Sequence, residues 1–307
     1  MSANIYTHQD SNIWKTWILM ALFFVIVIIL GWLISIFYGN TSILYIAVLL
    51  AVFMNVFSYW FSDKIVLALH KAKPATRQEY FDLWNATENL SITAGLPMPR
   101  LYVVDDAAPN AFATGRDKKH AVVAVTTGLL KILDKNELEG VVAHELSHIG
   151  NRDMLLSTVV VVMVGFVALL SDFFLRSQLW SGNRSRNNNG GAILLVIGLV
   201  LAILTPIAAT LIRLAISRKR EFLADATGVL LTRYPEGLAS ALKKISATSV
   251  PMRSANNATA HLFIANPFGV QSTSGFHKLF MTHPPVEERV RALIGVSDKI
   301  LKERKLS

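Results

Sequence analysis

His144-Glu145-Leu146-Ser147-His148 ends an apolar stretch, Leu138-Glu139-Gly140-Val141-Val142-Ala143, and leads within a few residues into a membrane-length segment beginning at Met154. Two histidines four residues apart fall on one helical face, about one turn from each other, so both imidazoles reach the same point. The glutamate between them projects beside that face. This is the residue set that holds a metal ion, activates a water and presents it to a carbonyl. The bland alternative is a solvated helix end whose histidines fall four apart by chance. Two neighbours argue against it. Asp134 and Glu137 have the spacing of a capping box, which places the motif well inside a helix. Val141, Val142 and Ala143 bury that helix, and polar groups held in a core need partners.

The 307 residues are 52% hydrophobic, with a mean hydropathy of +0.43. Four segments carry the excess: Trp17 to Tyr38, Ile43 to Phe61, Met154 to Ser171 and Ala192 to Ile212. Each is close to the ~20 residues that cross ~30 Å of hydrocarbon. The first has a longer apolar run than a cleaved signal peptide and no small-residue cleavage site, so it reads as a retained anchor. The third and fourth flank the histidine motif and are also consistent with partial packing against protein. Arg213, at the exit of the fourth, is placed to snorkel to the interface.

Lys15, Lys64, Lys71, Lys73, Arg77, Arg152, Arg218, Lys219 and Arg220 lie on the side that carries the polar regions, against Arg176, Arg184 and Arg186 opposite. That asymmetry predicts polar regions in the cytoplasm. The net charge is +9, and from Ser217 onward 14 basic residues face 7 acidic ones. Without any nucleic-acid-binding signature, attraction to anionic headgroups is the simpler reading of this tail, and no nucleic-acid partner is expected. The chain has no cysteine, which excludes disulfides and thiolate metal sites, so any zinc must be held by nitrogen and oxygen.

The organisation that follows has four parts: a membrane hairpin in residues 1–61, a first polar part in 62–153, a second hydrophobic hairpin in 154–216 with a polar tip at Ser181 to Gly191, and a second polar part in 217–307. Arg77 to Thr93 reads as an amphipathic helix. Leu101 to Val104, Ala111 to Thr114 and Ala121 to Val125 read as short strands of a small sheet. Further helices are expected from Ser217 to about Thr232, from Pro235 and from Val286, with a long loop over Ser254 to Ser274.

A catalytic zinc site needs three protein ligands. Continuing the motif to a third histidine fails, because Asn151 and Met154 occupy the required places. Downstream candidates are Glu221, Asp225, Glu236, Glu287, Glu288, His261, His277 and His283. Glu221 is preferred: it follows the fourth apolar segment as His148 precedes the third, so an antiparallel hairpin brings both to one membrane face. Asp225, one turn on, is placed to accept a hydrogen bond from the non-ligating nitrogen of a zinc histidine. The competing readings are a surface partner of Arg218 or Lys219 for Glu221, and an ordinary surface acid for Asp225.

His144-Glu145-Leu146-Ser147-His148, Glu221-Phe222-Leu223-Ala224-Asp225, Asn110-Ala111-Phe112-Ala113-Thr114-Gly115 and His283-Pro284-Pro285-Val286-Glu287-Glu288-Arg289 together resemble the HtpX membrane metalloproteases, relatives of the CAAX prenyl proteases. The resemblance covers nearly the whole chain. It implies a mainly α membrane protein, with four hydrophobic helices and a gluzincin-like α+β catalytic domain. It also implies one Zn2+ per subunit on His144, His148 and Glu221, with Asp225 in support. The implied activity is that of a bacterial inner-membrane, multi-pass endopeptidase whose active site faces the cytoplasm and which degrades misfolded or damaged membrane proteins. Its expected partners are those substrates, the lipid bilayer and other membrane quality-control proteases.

On this reading Glu145 is the general base, and His283 is the expected donor to the oxyanion, with Arg289 a weaker alternative. Asn110, Ala111, Phe112 and Ala113 form an edge strand placed to pair with an extended substrate through main-chain hydrogen bonds. A turn-initiating Asn110 and a plain turn residue at His283 are the competing readings. The rival functions are a CAAX-type prenyl-protein protease and a non-catalytic membrane scaffold that keeps the metal site. Retention of Glu145 argues against the scaffold.

Overall fold

A computed structural model describes residues 5–166, 217–248, 250–256, 258–269 and 284–295. The chain opens with two long helices, α1 (Ile5–Tyr38) and α2 (Ser42–Leu69), joined at Gly39, whose φ of +62° suits a residue without Cβ. They pack at small residues: a Cβ on Gly31 would stand 2.2 Å from that of Ala47. Ile18, Leu22, Val25 and Ile29 on α1, and Tyr45, Leu49, Phe53 and Val56 on α2, stay exposed. So large an uncovered apolar surface is what a lipid-facing helix presents. Asn12–Ile36 and Ser42–Leu69 are the two described helices long and apolar enough to cross a membrane.

Beyond Phe61 α2 continues without a break to Leu69 and delivers the chain to a four-stranded sheet. Its strands are β1 (Lys73–Pro74), β2 (Arg100–Val104), β3 (Ala111–Thr114) and β4 (Val122–Thr126), in the order β1-β2-β4-β3, with β2 and β4 parallel and the other pairs antiparallel. Three strands lie within a residue of the sequence expectation. The two-residue β1 carries no alternation to read. The period of two sorts the sheet into two apolar faces. Leu101, Val103, Ala111, Ala113, Val123 and Val125 join the main core. Val104, Phe112 and Ala124 pack instead with Val66 of α2 and with Val161 and Phe263.

Helices α3 (Phe81–Ala94), α4 (Thr127–Ile132) and α5 (Lys135–Gly150) follow. The α5 N-terminus is closed by a full capping box: Asp134 accepts from the Glu137 N–H at 3.0 Å and Glu137 accepts from the Asp134 N–H at 2.9 Å. Eleven of the 16 residues of α5 are buried, because α3, β3, α7 (Arg218–Thr232) and α8 (Pro235–Ala247) surround it. Removing a fully buried side chain such as Leu146 would cost about 2–5 kcal/mol.

The segment read as a third span begins a helix, α6 (Asp153–Phe166), turned by 83° from α5. Much of it is buried in protein: Leu156, Val159, Val160 and Met163 pack on Leu19, Met20 and Phe23 of α1. An apolar run alone does not distinguish lipid from protein as its surroundings. The described residues hold two candidate spans, or three if the bent α5–α6 pair is counted as one. The fourth segment, Arg213 and the Ser181 to Gly191 loop lie outside the described residues. A last helix, α9, covers 286–295.

Candidate metal centre

The helical period places His144 and His148 one turn apart on α5, and Glu221 arrives in the first turn of α7. The two Nε2 atoms face each other at 3.2 Å, with ring planes at 90°. Glu221 Oε2 stands 3.8 Å from His144 Nε2, and Oε1 stands 3.6 Å from His148 Nε2. All three ligand atoms lie within 4.8 Å of one another. A tetrahedral zinc with nitrogen and oxygen donors has ligand atoms separated by about 3.3 Å, so this nitrogen–nitrogen–carboxylate triangle fits that ion.

Each histidine is backed by an aspartate. Asp225 Oδ1 accepts from His144 Nδ1 at 2.9 Å, and Asp153 Oδ2 accepts from His148 Nδ1 at 3.2 Å. Both contacts turn Nε2 toward the centre. Behind Asp225 lies Arg289 of α9, 1% exposed, donating from Nε at 2.8 Å and from Nη2 at 2.6 Å. Behind Asp153 lies Arg220 at 3.9 Å.

Protonation follows these surroundings. Burial pulls the His144 imidazole down to about 4, with the Arg289 charge acting in the same sense against the Asp225 hydrogen bond. Burial would lower His148 too, but the Asp153 hydrogen bond and the Glu221, Asp153 and Glu145 carboxylates raise it to about 9. Asp225 is held at about 2, since the Arg289 charge and hydrogen bonds outweigh its burial. Glu145 is 2% exposed, and burial lifts its carboxyl to about 7, which suits a group that must both take and return a proton near neutrality.

The Asn110 strand is the sheet edge, as expected, and reaches the same site. The Ala113 N–H donates to Glu145, and Ala113 lines the cavity over the histidines. Asn110 itself is turned to another task. Its amide donates to the Ala265 carbonyl at 3.0 Å and accepts from the Ala265 N–H at 3.2 Å, while the Ile264 N–H donates to the Ala111 carbonyl at 3.0 Å. Phe112 points away, against His70 and Phe263. The chain's own Ile264 therefore covers part of the edge, and His261 to Ile264 wall a cavity of about 30 Å³, room for roughly one water. Arg289 stands behind His144 rather than in that wall, its Nη1 donating to the Ile264 carbonyl at 3.3 Å. His283 lies outside the described residues. Sequence reasoning missed Asp153 and Arg220; the one available signal was an acid five residues past His148.

Residues 78–297 match the model of Peptidase family M48. The chain belongs to that family. Relatives named Protease HtpX homolog include those of Thermoanaerobacter pseudethanolicus, 48% identical over 94% of this chain and 97% of that protein, and Pyrococcus furiosus, 48% identical over 91% and 94%. That of Tropheryma whipplei strain Twist is 51% identical over 84% of this chain and 86% of its own length. Among solved structures, S. mikatae Ste24p aligns with a TM-score of 0.49 and 19% identity, over 90% of this chain and 62% of that one. The M48 match together with the HtpX relatives makes the chain a metalloprotease, and the two apolar helices among the described residues support its being a membrane protein.

Proposed function

We propose that this M48 peptidase is a zinc endopeptidase of gluzincin type that cuts misfolded or damaged membrane proteins at the cytoplasmic face of a bacterial inner membrane. The observation that carries this is the His144–His148–Glu221 triangle with Glu145 buried beside it, at the point where α5 turns into an apolar helix packed on the first anchor. Zinc held by those three residues supplies a Lewis acid for the scissile carbonyl and lowers the pKa of a water. Glu145 takes the proton of the attacking water on its carboxylate and returns it to the leaving amine. The Ala113 N–H orients Glu145, and the Ala113 carbonyl is left to a peptide laid along β3. Such main-chain recognition is largely blind to sequence, which suits a protease that clears damaged chains. The wall at His261 to Ile264 narrows the cleft over the histidines. The excess of basic residues beside the spans supports the cytoplasmic orientation.

The test is proteolysis of an unmodified, misfolded membrane protein by full-length protein in detergent, alongside a prenylated C-terminal peptide. Glu145→Gln should retain zinc and lose activity by about 10²–10⁴-fold, and Glu221→Ala should lose the zinc. Full activity in Glu145→Gln would sink the mechanism, and preference for the prenylated peptide would shift the substrate class.

A further inference from the structure

Asn12 stands at the start of a candidate span whose following residues, from Trp17, are free of charge, yet it is only 3% exposed. Burying an amide there is costly unless its hydrogen bonds are made. They are made to the surroundings of the metal centre. Its Nδ2 donates to Asp153 Oδ1 at 2.5 Å and to the Asn151 carbonyl at 3.2 Å, and its Oδ1 accepts from Arg220 Nη1 at 3.3 Å. Asp153 uses its other oxygen to accept from His148 Nδ1 at 3.2 Å. Leu19, Met20 and Phe23, further along α1, lock that helix against α6 directly after Asp153.

We propose that Asn12 is a positioning residue for the metal centre: the first membrane helix fixes Asp153, and through it the orientation of His148, so that metal affinity depends on how α1 is docked. This rests on reading His144, His148 and Glu221 as the zinc site. The neutral amide is the nearest donor to Asp153 Oδ1, whereas the Arg220 guanidinium stays 3.9 Å away. Without Asn12 that carboxylate is free to rotate and the His148 ring loses its stop.

The measurement is zinc affinity of the full-length protein in detergent, by competition with a chromophoric chelator, together with the visible spectrum of the cobalt(II) form. Asn12→Leu, which keeps the helix apolar, should weaken zinc about tenfold and shift the cobalt bands. Asn12→Ser, which keeps a donor, should fall between it and the parent. Thr16→Val removes another buried polar group of the same helix, whose hydroxyl donates to the Asn12 carbonyl at 2.9 Å, and should change neither readout. If Asn12→Leu does not fold, Asn12→Ser against Thr16→Val decides. Parental affinity and spectrum in the Asn12 variants, or an equal loss in Thr16→Val, would overturn the proposal. Parental zinc affinity in His144→Ala would instead show that the metal site itself is misassigned.

Discussion

The two histidines of one helix turn are held in the same way from opposite ends of the chain, and to different degrees. On the His144 side the backing aspartate is gripped twice, at 2.6 and 2.8 Å, by an arginine that is 1% exposed. On the His148 side the aspartate meets its arginine at 3.9 Å and takes its close contact from a neutral amide of a membrane helix. The first arm is a desolvated ion pair with fixed geometry. The second is a carboxylate held by a neutral amide and by the His148 ring, and it depends on the packing of α1 against α6. One arm secures the site, and the other connects it to the membrane.

The largest expected difference lies in the arginines. Arg289→Ala leaves Asp225 buried and uncompensated, which costs about 3–5 kcal/mol. Arg220→Ala leaves Asp153 with its Asn12 and His148 contacts and should cost well under half of that. Thermal melts of the two variants check this, and equal losses would break the comparison. The aspartates come next. Asp225→Asn should weaken zinc toward the upper end of the roughly 10–100-fold range and Asp153→Asn toward the lower end, because the His144 contact is the shorter of the two, 2.9 against 3.2 Å. Chelator competition reads both.

The arms also predict opposite pH behaviour once metal is removed. His148 is raised from 6.5 to about 9, so its contribution to stability is complete below 6.5 and is lost as pH rises through 9. His144 is lowered from 6.5 to about 4, so its contribution is complete above 6.5 and is lost as pH falls toward 4. In chelator-treated protein, His148→Gln should flatten the alkaline limb of the melting temperature and His144→Gln the acid limb. Zinc should suppress both limbs, since the metal takes the place of the proton. A single variant that flattens both would show that the two rings titrate as one unit.

How much of this was legible depends on the distance over which the information is written. The Asp134–Glu137 cap, the four-residue histidine spacing and the valine-rich run from Ala121 to Val125 are local, and each reads directly as structure. Glu221 was reachable because the apolar segments between it and His148 suggest a hairpin. The Asn12–Asp153 bond joins positions 141 residues apart and the Asn12–Arg220 bond joins positions 208 apart, with no period or spacing to announce either. Ile264 on the sheet edge is equally silent, since an irregular loop has no pattern. The burial of Leu156 to Met163 was hidden for another reason: valine and leucine serve a lipid face and a protein core alike.

The smallest predicted effect uses two glycines to compare the backbone on either side. Both have ordinary negative φ, so alanine is sterically admissible for the chain itself and gains up to about 1 kcal/mol of helix propensity. At Gly150, beside the His148 turn, a Cβ would meet only Leu96 Cδ1 at 3.9 Å, an ordinary contact with the end of a flexible side chain. Gly150→Ala should therefore be neutral or slightly stabilising. At Gly228 on α7 a Cβ would stand 3.1 Å from the His144 N and 3.3 Å from the Ala143 carbonyl carbon. Those are backbone atoms of a helix packed on every side, so the relief available at Gly150 is absent. Crowding should outweigh propensity and cost about 1 kcal/mol net. The displacement it forces falls on His144 and α7 together, so zinc affinity should drop with stability in Gly228→Ala and stay unchanged in Gly150→Ala. If Gly228→Ala melts like its parent and keeps its zinc, the His144 side is not the rigid one, and the contrast between the two arms rests on their charges alone.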